Sequence, residues 1–198
     1  MTWVKFCGMT RREDVEAAVV AGADAVGFVT ASGSVRRVTP EQAALLGDGI
    51  GIERFLVTVD LEPGLLLAAA RVGGVDGVQP HGRHSVEAAD LMLREGYRVL
   101  FPVRVDGRPD LSQVPDGAIP LLDTAVPGLH GGTGESFDWS LAAGLDRDVV
   151  VAGGLTPWNV AVAMAAAVPW GVDVASGVES TLGVKDSVAM KRFVEAAR

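Results

Sequence analysis

Three glycine-bearing segments in the last third of the chain are the clearest sign of chemistry in this sequence. Each follows a short apolar run, and glycine, which has no Cβ, lets backbone amides come close to a ligand. Phosphate is a ligand that such amides bind well, especially beside a helix N-terminus. The alternative is that these glycines only form tight turns, but three in succession favour an anion site. The segments are residues 130–134, 151–155 and 172–179, and the candidate phosphate-binding residues are Gly132, Gly134, Gly153, Gly154, Ser176 and Gly177.

A lysine, a cysteine and an aspartate occupy positions from which they could act together. Residues of a strand alternate between its faces, so Lys5 and Cys7 point one way from the first apolar run. The same alternation turns Asp173 inward from the last run. Because a buried lysine needs a charged partner, we expect an ion pair between Lys5 and Asp173. Cys7 is either a small buried hydrophobe or a catalytic thiol, and its place at the carboxyl end of a strand favours catalysis.

Other polar residues follow other β-like runs. Asp123 ends one of them; it could cap a turn, but a partly desolvated carboxyl has a raised pKa and suits a general acid. Arg36 and Arg37 are adjacent, so one should face solvent while the other can bind a ligand carboxylate through its forked guanidinium. Gln79 and His81 follow the fourth run and are candidate substrate-binding residues, although a lone histidine there is more often a hydrogen-bonded rim residue.

The composition excludes several classes of function. The 198 residues carry 17 basic and 25 acidic side chains, a net charge of −8, which argues against a nucleic-acid or anionic-membrane partner. One cysteine permits no intrachain disulfide, and the three histidines lack the spacing of a metal site. The N-terminus has no signal-peptide pattern and no apolar run reaches membrane-spanning length. We therefore expect a cytoplasmic protein without a metal.

Strand-like and helix-like patterns alternate along the whole chain. The predicted strands are Trp3–Cys7, Ala25–Val29, Arg54–Val59, Gly74–Val78, Arg98–Val103, Ala118–Leu122, Asp148–Ala152 and Val172–Ala175. The predicted helices are Arg11–Ala21, one that begins at Pro40 after the N-cap Thr39, Pro63–Arg71, Ser85–Glu95, Pro157–Ala167 after the N-cap Thr156, and Asp186–Ala197.

This alternation predicts parallel pairing and a single (β/α)8 TIM barrel over residues 1–198, because closure leaves no exposed sheet edge. An open doubly wound sheet is the alternative, but the residues after the first strand, Cys7–Arg11, do not form a dinucleotide fingerprint. The length is minimal for a barrel. Turn-forming residues at 106–110 and 114–117 stand where a helix should follow the fifth strand. We therefore expect the fifth helix to be reduced or missing.

The ordered set of motifs resembles phosphoribosylanthranilate isomerase, a barrel enzyme of tryptophan biosynthesis, from Val4 to the C-terminal helix. Single glycine pairs are weak evidence, but this order over most of the chain is specific. The matching segments are residues 4–11, 22–29, 34–38, 78–82, 121–123, 131–139, 152–160, 171–179 and 183–186. The chain departs from the family's usual pattern at Val35 and Pro80, within residues 29–33, and over 54–62, around the anthranilate side of the expected pocket.

The resemblance implies an Amadori rearrangement of N-(5-phosphoribosyl)anthranilate to 1-(2-carboxyphenylamino)-1-deoxyribulose 5-phosphate, without a cofactor. It implies that Asp123 is the general acid that opens the ribose ring and that Cys7, as a thiolate, is the general base at C2. Arg36 would hold the anthranilate carboxylate, and the glycine segments would hold the phosphate. The only partner implied is the small phosphosugar substrate, bound by a monomer or a homodimer.

Two other functions stay open at this stage. One is a divergent paralogue that acts on a related phosphosugar; the other is a barrel that binds a phosphometabolite without catalysis. The presence of both an acid and a base argues against simple binding, and an epimerase would need a metal cluster for which the sequence lacks residues. Fold alone does not decide between them.

Overall fold

Eight parallel strands close into a barrel, each paired with its neighbours in the sequence and the last with the first, in a computed structural model that describes residues 1–124 and 137–198. The predicted barrel is therefore confirmed. The strands are β1 (Trp3–Cys7), β2 (Ala25–Val29), β3 (Glu53–Val59), β4 (Gly77–His81), β5 (Arg98–Val105), β6 (Ile119–Thr124), β7 (Val150–Val151) and β8 (Gly171–Val174).

Six α-helices lie in the described ranges, and none is long and apolar enough to cross a membrane. They are α1 (Arg12–Ala21), α2 (Pro40–Leu46), α3 (Pro63–Gly73), α4 (Ser85–Arg94), α5 (Val160–Ala167) and α6 (Ser187–Ala197). Short 3-10 turns occur at Trp139–Ala142 and Ser176–Val178, and a small antiparallel hairpin, β9 (Glu179–Thr181) and β10 (Val184–Lys185), precedes α6.

The alternation of side chains along the strands builds two layers of core. Val4 and Phe6 point outward and join the apolar layer between strands and helices, where Phe6 packs on Phe193 of α6 with ring centroids 5.9 Å apart. Trp3 and Phe55 point inward and help to close the lower end of the barrel. This interior layer also contains Ala25, Leu100, Leu121, Val150 and Ala152. Above it, the barrel interior becomes polar, which is the end at which barrel enzymes carry their sites.

Two elements begin three residues later than predicted, for identifiable reasons. Gly74 takes a left-handed conformation (φ 56°) and caps α3, donating its N–H to the carbonyls of Ala70 and Arg71, so β4 begins at Gly77 rather than at Gly74. Helix α5 begins at Val160, three residues after the predicted Pro157. Asn159 accepts a hydrogen bond from the Thr156 amide (2.7 Å) and donates one to the Gly154 carbonyl (2.9 Å), which holds residues 154–159 in a turn.

The connection between β5 and β6 is a loop, as the turn-forming residues predicted. No α-helix forms between Val105 and Ile119, a stretch that the structure describes throughout. The guanidinium of Arg147 donates hydrogen bonds to the carbonyls of Val114 (3.2 Å), Pro115 (3.0 Å) and Ala118 (2.7 Å). One arginine thus satisfies backbone acceptors that a helix would otherwise have paired internally.

We predict that Arg147→Met destabilises the protein by roughly 2 kcal/mol, because charge-assisted hydrogen bonds to loop carbonyls are lost while most of the apolar stem is kept. Arg108→Met, at an exposed position of the β5–β6 loop, is the matched control and should change stability by less than ~0.5 kcal/mol. Chemical denaturation of the three proteins measures the difference. Equal unfolding free energies for both variants would contradict this role of Arg147.

Candidate active site

A cavity of about 800 Å3 opens at the carboxyl ends of the strands. Within the described part of the chain, seven of the eight barrel strands contribute to its lining, either directly or through the segment that follows the strand. The exception is β5. The contributing residues include Cys7, Arg36, Gln79, His81, Asp123, Gly153, Gly154, Asp173, Ser176 and Gly177. The described candidate residues therefore converge on one cavity, except that Lys5 is buried beneath its surface. Gly132 and Gly134 lie outside the described residues.

The floor of the cavity is an ion pair between Lys5 and Asp173, which are register partners on β1 and β8. Lys5 is fully buried, and its Nζ donates hydrogen bonds to Asp173 Oδ1 (2.9 Å) and Gln79 Oε1 (3.0 Å). Burial by itself lowers the pKa of Lys5, but the nearby Asp173 and Cys7 outweigh that effect and raise it. Lys5 is thus a fixed cation and not a proton acceptor at neutral pH.

Gln79 and His81 extend this ion pair across the cavity mouth. Since β4 extends to His81 and does not end at Val78 as predicted, both residues lie within the strand and share its inward face. The Gln79 oxygen accepts from Lys5, which turns its amide nitrogen toward His81 Nε2 at 2.9 Å. An amide nitrogen only donates, so His81 Nε2 is the acceptor in this contact and its proton belongs on Nδ1.

Cys7 ends β1 with its thiol facing the cavity and 8% of the residue exposed. Burial raises the pKa of the thiol above its ordinary value, although the Lys5 ammonium lowers it in part. Gly27 on the neighbouring β2 makes room for both groups. A Cβ at Gly27 would lie 3.0 Å from Cys7 Sγ and 3.2 Å from Lys5 Nζ, so even alanine there would push the thiol or the ammonium away.

Asp123, on β6, is a carboxyl group of the cavity with a strongly raised pKa. Burial raises its pKa from 3.8 to about 6, although a hydrogen bond that its Oδ1 accepts from the Thr124 amide (2.8 Å) opposes the shift. Gly153 lies against it, since a Cβ there would fall 2.7 Å from Asp123 Oδ1. A carboxyl with this pKa holds and releases protons near neutral pH, as a general acid must.

Arg36 is held by an acidic residue that the sequence did not indicate. Its Nε and one Nη donate to the two carboxylate oxygens of Glu179 at 2.7 and 2.8 Å, and its aliphatic stem lies over Gly8. The side-on fork of the guanidinium, which we expected to bind a ligand, is therefore occupied by Glu179. The end-on pair of N–H groups is the edge that Glu179 does not use, and Arg36 remains part of the cavity wall.

Two loops on the β7–β8 side of the cavity form a cradle of glycines. Gly153 and Gly154 both have left-handed backbones (φ 79° and 64°), which turns the chain sharply after β7. Gly177 packs directly on this turn, because a Cβ there would lie 1.8 Å from the Leu155 carbonyl oxygen. Ser176 and Gly177 open a 3-10 turn, where amides have no preceding turn of helix to donate to. Such amides can bind an anion.

Sequence reasoning missed Glu179, Lys185, Asn159 and Gly27. Lys185 is almost completely buried, yet nothing near it in the sequence separates it from a surface lysine. One of its acceptors, the Cys7 carbonyl, lies 178 residues away along the chain. Gly27 stands in an apolar run, where a glycine is a weak signal of close approach. Only tertiary contacts reveal these four residues.

Comparison with known proteins agrees with this geometry. The family model described as N-(5'phosphoribosyl)anthranilate (PRA) isomerase matches residues 4–196. The N-(5'-phosphoribosyl)anthranilate isomerase of Geobacter sp. strain M21 is 43% identical over 204 residues, 100% of this chain and 98% of that protein. The one from Rubrobacter xylanophilus is 40% identical and is covered, like this chain, over its full length.

Solved structures give the same answer. The phosphoribosyl anthranilate isomerase of Thermus thermophilus superposes with a TM-score of 0.89 at 33% identity, with 98% of each chain covered. An isomerase in complex with reduced 1-(o-carboxyphenylamino)-1-deoxyribulose 5-phosphate superposes with a TM-score of 0.82 at 34% identity, over 100% of this chain and 98% of that one. The chain thus belongs to the N-(5'-phosphoribosyl)anthranilate isomerase family.

Proposed function

We propose that this protein catalyses the Amadori rearrangement of N-(5-phosphoribosyl)anthranilate in tryptophan biosynthesis, with Asp123 as general acid and Cys7 as general base. The observation that carries the proposal is the pairing, in one cavity, of a carboxyl whose pKa is about 6 with a thiol beside a buried ammonium. Family membership supplies the reaction, and these two groups supply the proton transfers that it requires.

The reaction begins at the ribose ring. Protonated Asp123 donates to the ring oxygen while the bond between that oxygen and C1 breaks, and the nitrogen lone pair forms an iminium at C1. The Cys7 thiolate then removes the proton from C2, and the electron pair of the C–H bond neutralises the iminium to give an enolamine. Tautomerisation of the enolamine yields the ketone. Lys5 remains protonated throughout because its pKa is raised, so it stabilises the thiolate without competing for the proton.

The two groups rest in the opposite protonation states at neutral pH. Asp123, with a pKa near 6, is mostly ionised, and Cys7, whose pKa is raised by burial, is mostly protonated. The reactive form is therefore the minor one in which a proton sits on Asp123 and not on Cys7. Its fraction is constant between the two pKa values, since each gain in thiolate is offset by an equal loss of protonated carboxyl. A cation that acts on Cys7 more strongly than on Asp123, such as Lys185, increases that fraction.

The ligand's two anionic groups are assigned to opposite sides of the cavity. We assign the phosphate to the amides of Gly153, Gly154 and Gly177 and to Ser176, and the anthranilate carboxylate to the end-on N–H pair of Arg36. Gln79 and His81, between them at the mouth, are assigned to the substrate's hydroxyl groups. The activity as a whole is tested by expressing this protein in a tryptophan-requiring strain that lacks the isomerase. Growth on medium without tryptophan is the expected result. Binding of the substrate without turnover by the purified protein would instead favour a non-catalytic barrel.

Cys7→Ser should reduce kcat by at least ~100-fold, because a serine hydroxyl is a far weaker acid than a thiol and supplies almost no anionic base. Binding of inorganic phosphate should stay unchanged, since the cradle lies in the loops after β7 and β8. Steady-state kinetics and phosphate inhibition measure the two effects. Turnover within a few-fold of the wild type would remove Cys7 from the mechanism.

Asp123→Asn should lose at least ~100-fold in kcat and at the same time stabilise the fold at pH 7.5. The folded-state pKa of about 6 exceeds the ordinary 3.8, so the ionised carboxyl destabilises the folded protein by up to about 3 kcal/mol above pH 6. That cost disappears as the pH falls from 6 toward 4. Chemical denaturation at pH 7.5 and at pH 4 should show that the variant is more stable than the wild type at pH 7.5 and that this gain vanishes near pH 4. A gain that is the same at both would refute the raised pKa.

Ser176→Asp places a carboxylate in the proposed phosphate cradle and should raise KM at least ~10-fold with a smaller effect on kcat, because phosphate is held alike in ground and transition states. Ser187→Asp, at the exposed start of α6 outside the cavity, adds the same charge and serves as the control. Inhibition by inorganic phosphate should weaken only in Ser176→Asp. Equal KM values for the two variants would move the phosphate elsewhere.

A further inference from the structure

Lys185, in the hairpin strand β10, is a buried lysine that the chemistry above does not use. Its side chain is 1% exposed, and its ammonium makes three hydrogen bonds. It donates to the carbonyls of Cys7 (2.7 Å) and Ala175 (2.9 Å) and to Glu179 Oε1 (2.9 Å). An ammonium has three N–H groups, so every one of them has an acceptor.

These three acceptors belong to three parts of the candidate active site. The Cys7 carbonyl is the end of β1, on the residue assigned as general base. The Ala175 carbonyl precedes Ser176, where the turn of the phosphate cradle begins. Glu179 holds the Arg36 guanidinium through both of its oxygens. One side chain therefore joins the base, the cradle and the carboxylate-binding arginine.

The hairpin that carries Lys185 is itself fixed to the β1–α1 side of the barrel. The Lys185 amide donates to the buried Asp14 carboxylate on α1 at 3.2 Å. The Thr10 hydroxyl, in the loop between β1 and α1, donates to the Gly183 carbonyl at 2.6 Å. Both ends of the lysine, backbone and ammonium, are thus anchored, which makes it a rigid connection.

We propose that Lys185 is a positioning residue for the isomerisation, which fixes the carboxyl end of β1 against the turn after β8 and, through Glu179, orients Arg36. The expected changes in kcat and KM rest on the proposed function, whereas the expected change in the pKa of Cys7 does not. Stability alone does not explain a lysine here, because replacing a buried ion pair with apolar residues often leaves a protein as stable or more so.

The lysine also adds positive charge beside the thiol. Among the described residues, the charged groups that act on Cys7 are Lys5 on its own strand, Asp173 on β8, Lys185 on β10 and Arg36 after β2. Burial lowers the pKa of Lys185 in spite of Glu179, but the ammonium still favours the Cys7 thiolate. A neutral side chain of the same size would have no such effect, so the thiol pKa shows whether the Lys185 ammonium lies beside Cys7, and the kinetic constants show whether it positions the site.

Lys185→Met removes the charge and the three hydrogen bonds while filling similar volume, and it tests the proposal. The rate of Cys7 alkylation by iodoacetamide across pH gives the thiol pKa without ambiguity, because the chain has one cysteine. We expect the midpoint to rise by about one pH unit, kcat to fall ~10-fold or more, and KM to rise. Lys191→Met, at an exposed position of α6, is the control and should match the wild type.

Two further variants keep the test decisive if Lys185→Met does not fold. Lys185→Arg keeps a positive charge and should leave the thiol midpoint within about half a pH unit of the wild-type value. Glu179→Gln weakens the hold on Arg36 and should raise KM at least ~5-fold, while the thiol midpoint stays within about half a pH unit of the wild-type value. A folded Lys185→Met enzyme with an unchanged midpoint, kcat and KM overturns the proposal, as does an unchanged KM in Glu179→Gln. A wild-type protein that shows no isomerase activity refutes the proposed function instead, while the alkylation result still decides the effect of Lys185 on Cys7.

Discussion

The ammonium of Lys5 lies inside the barrel against Asp173, with no exposed surface of its own. This ion pair forms between β1 and β8, the two strands whose pairing closes the sheet. Below it the interior is apolar, and above it the cavity begins. A buried charge without a partner would be costly, so the closure of the barrel and the pairing of these charges depend on each other. The position of Cys7, two residues further along β1, follows from the same register.

A protein of net charge −8 must bind a doubly anionic substrate by local means. The two ion-pair groups around the cavity contain three cations, Lys5, Arg36 and Lys185, and two carboxylates, Asp173 and Glu179, which leaves one positive charge. That charge is not enough for a phosphate and a carboxylate. In the proposed binding mode, backbone amides in the glycine loops supply the remaining attraction, without a side chain that would need its own counter-ion.

Glycine has three different tasks around this cavity. At Gly154 the backbone itself is left-handed. At Gly177 the need is close approach of one loop to the carbonyl of another, and at Gly27 it is space for the thiol and the ammonium of the neighbouring strand. The left-handed turn can be predicted from the sequence, because a glycine pair follows an apolar run there. The other two depend on residues that are remote along the chain, so only the folded protein shows which glycines serve them.

Local patterns in the sequence were enough to predict the barrel, the order of its strands and the missing fifth helix, because alternation and turn formation act over a few residues. Closure of the barrel, which makes β8 the neighbour of β1, then predicted the pairing of Lys5 with Asp173. The start of β4 and of α5 escaped prediction, since the caps at Gly74 and Asn159 depend on hydrogen bonds that compete with the simpler turn signals. The raised pKa of Asp123 was expected from its place at a strand end, but its value required the burial that the closed barrel provides. Tertiary structure alone decided that Glu179 occupies the fork of Arg36 and that Lys185 joins β1 to the turn after β8. The Arg36–Glu179 and Cys7–Lys185 contacts unite residues more than 140 positions apart. Arg36, Glu179 and Lys185 lie outside the eight barrel strands, so neither strand alternation nor closure of the barrel predicts where their charges meet.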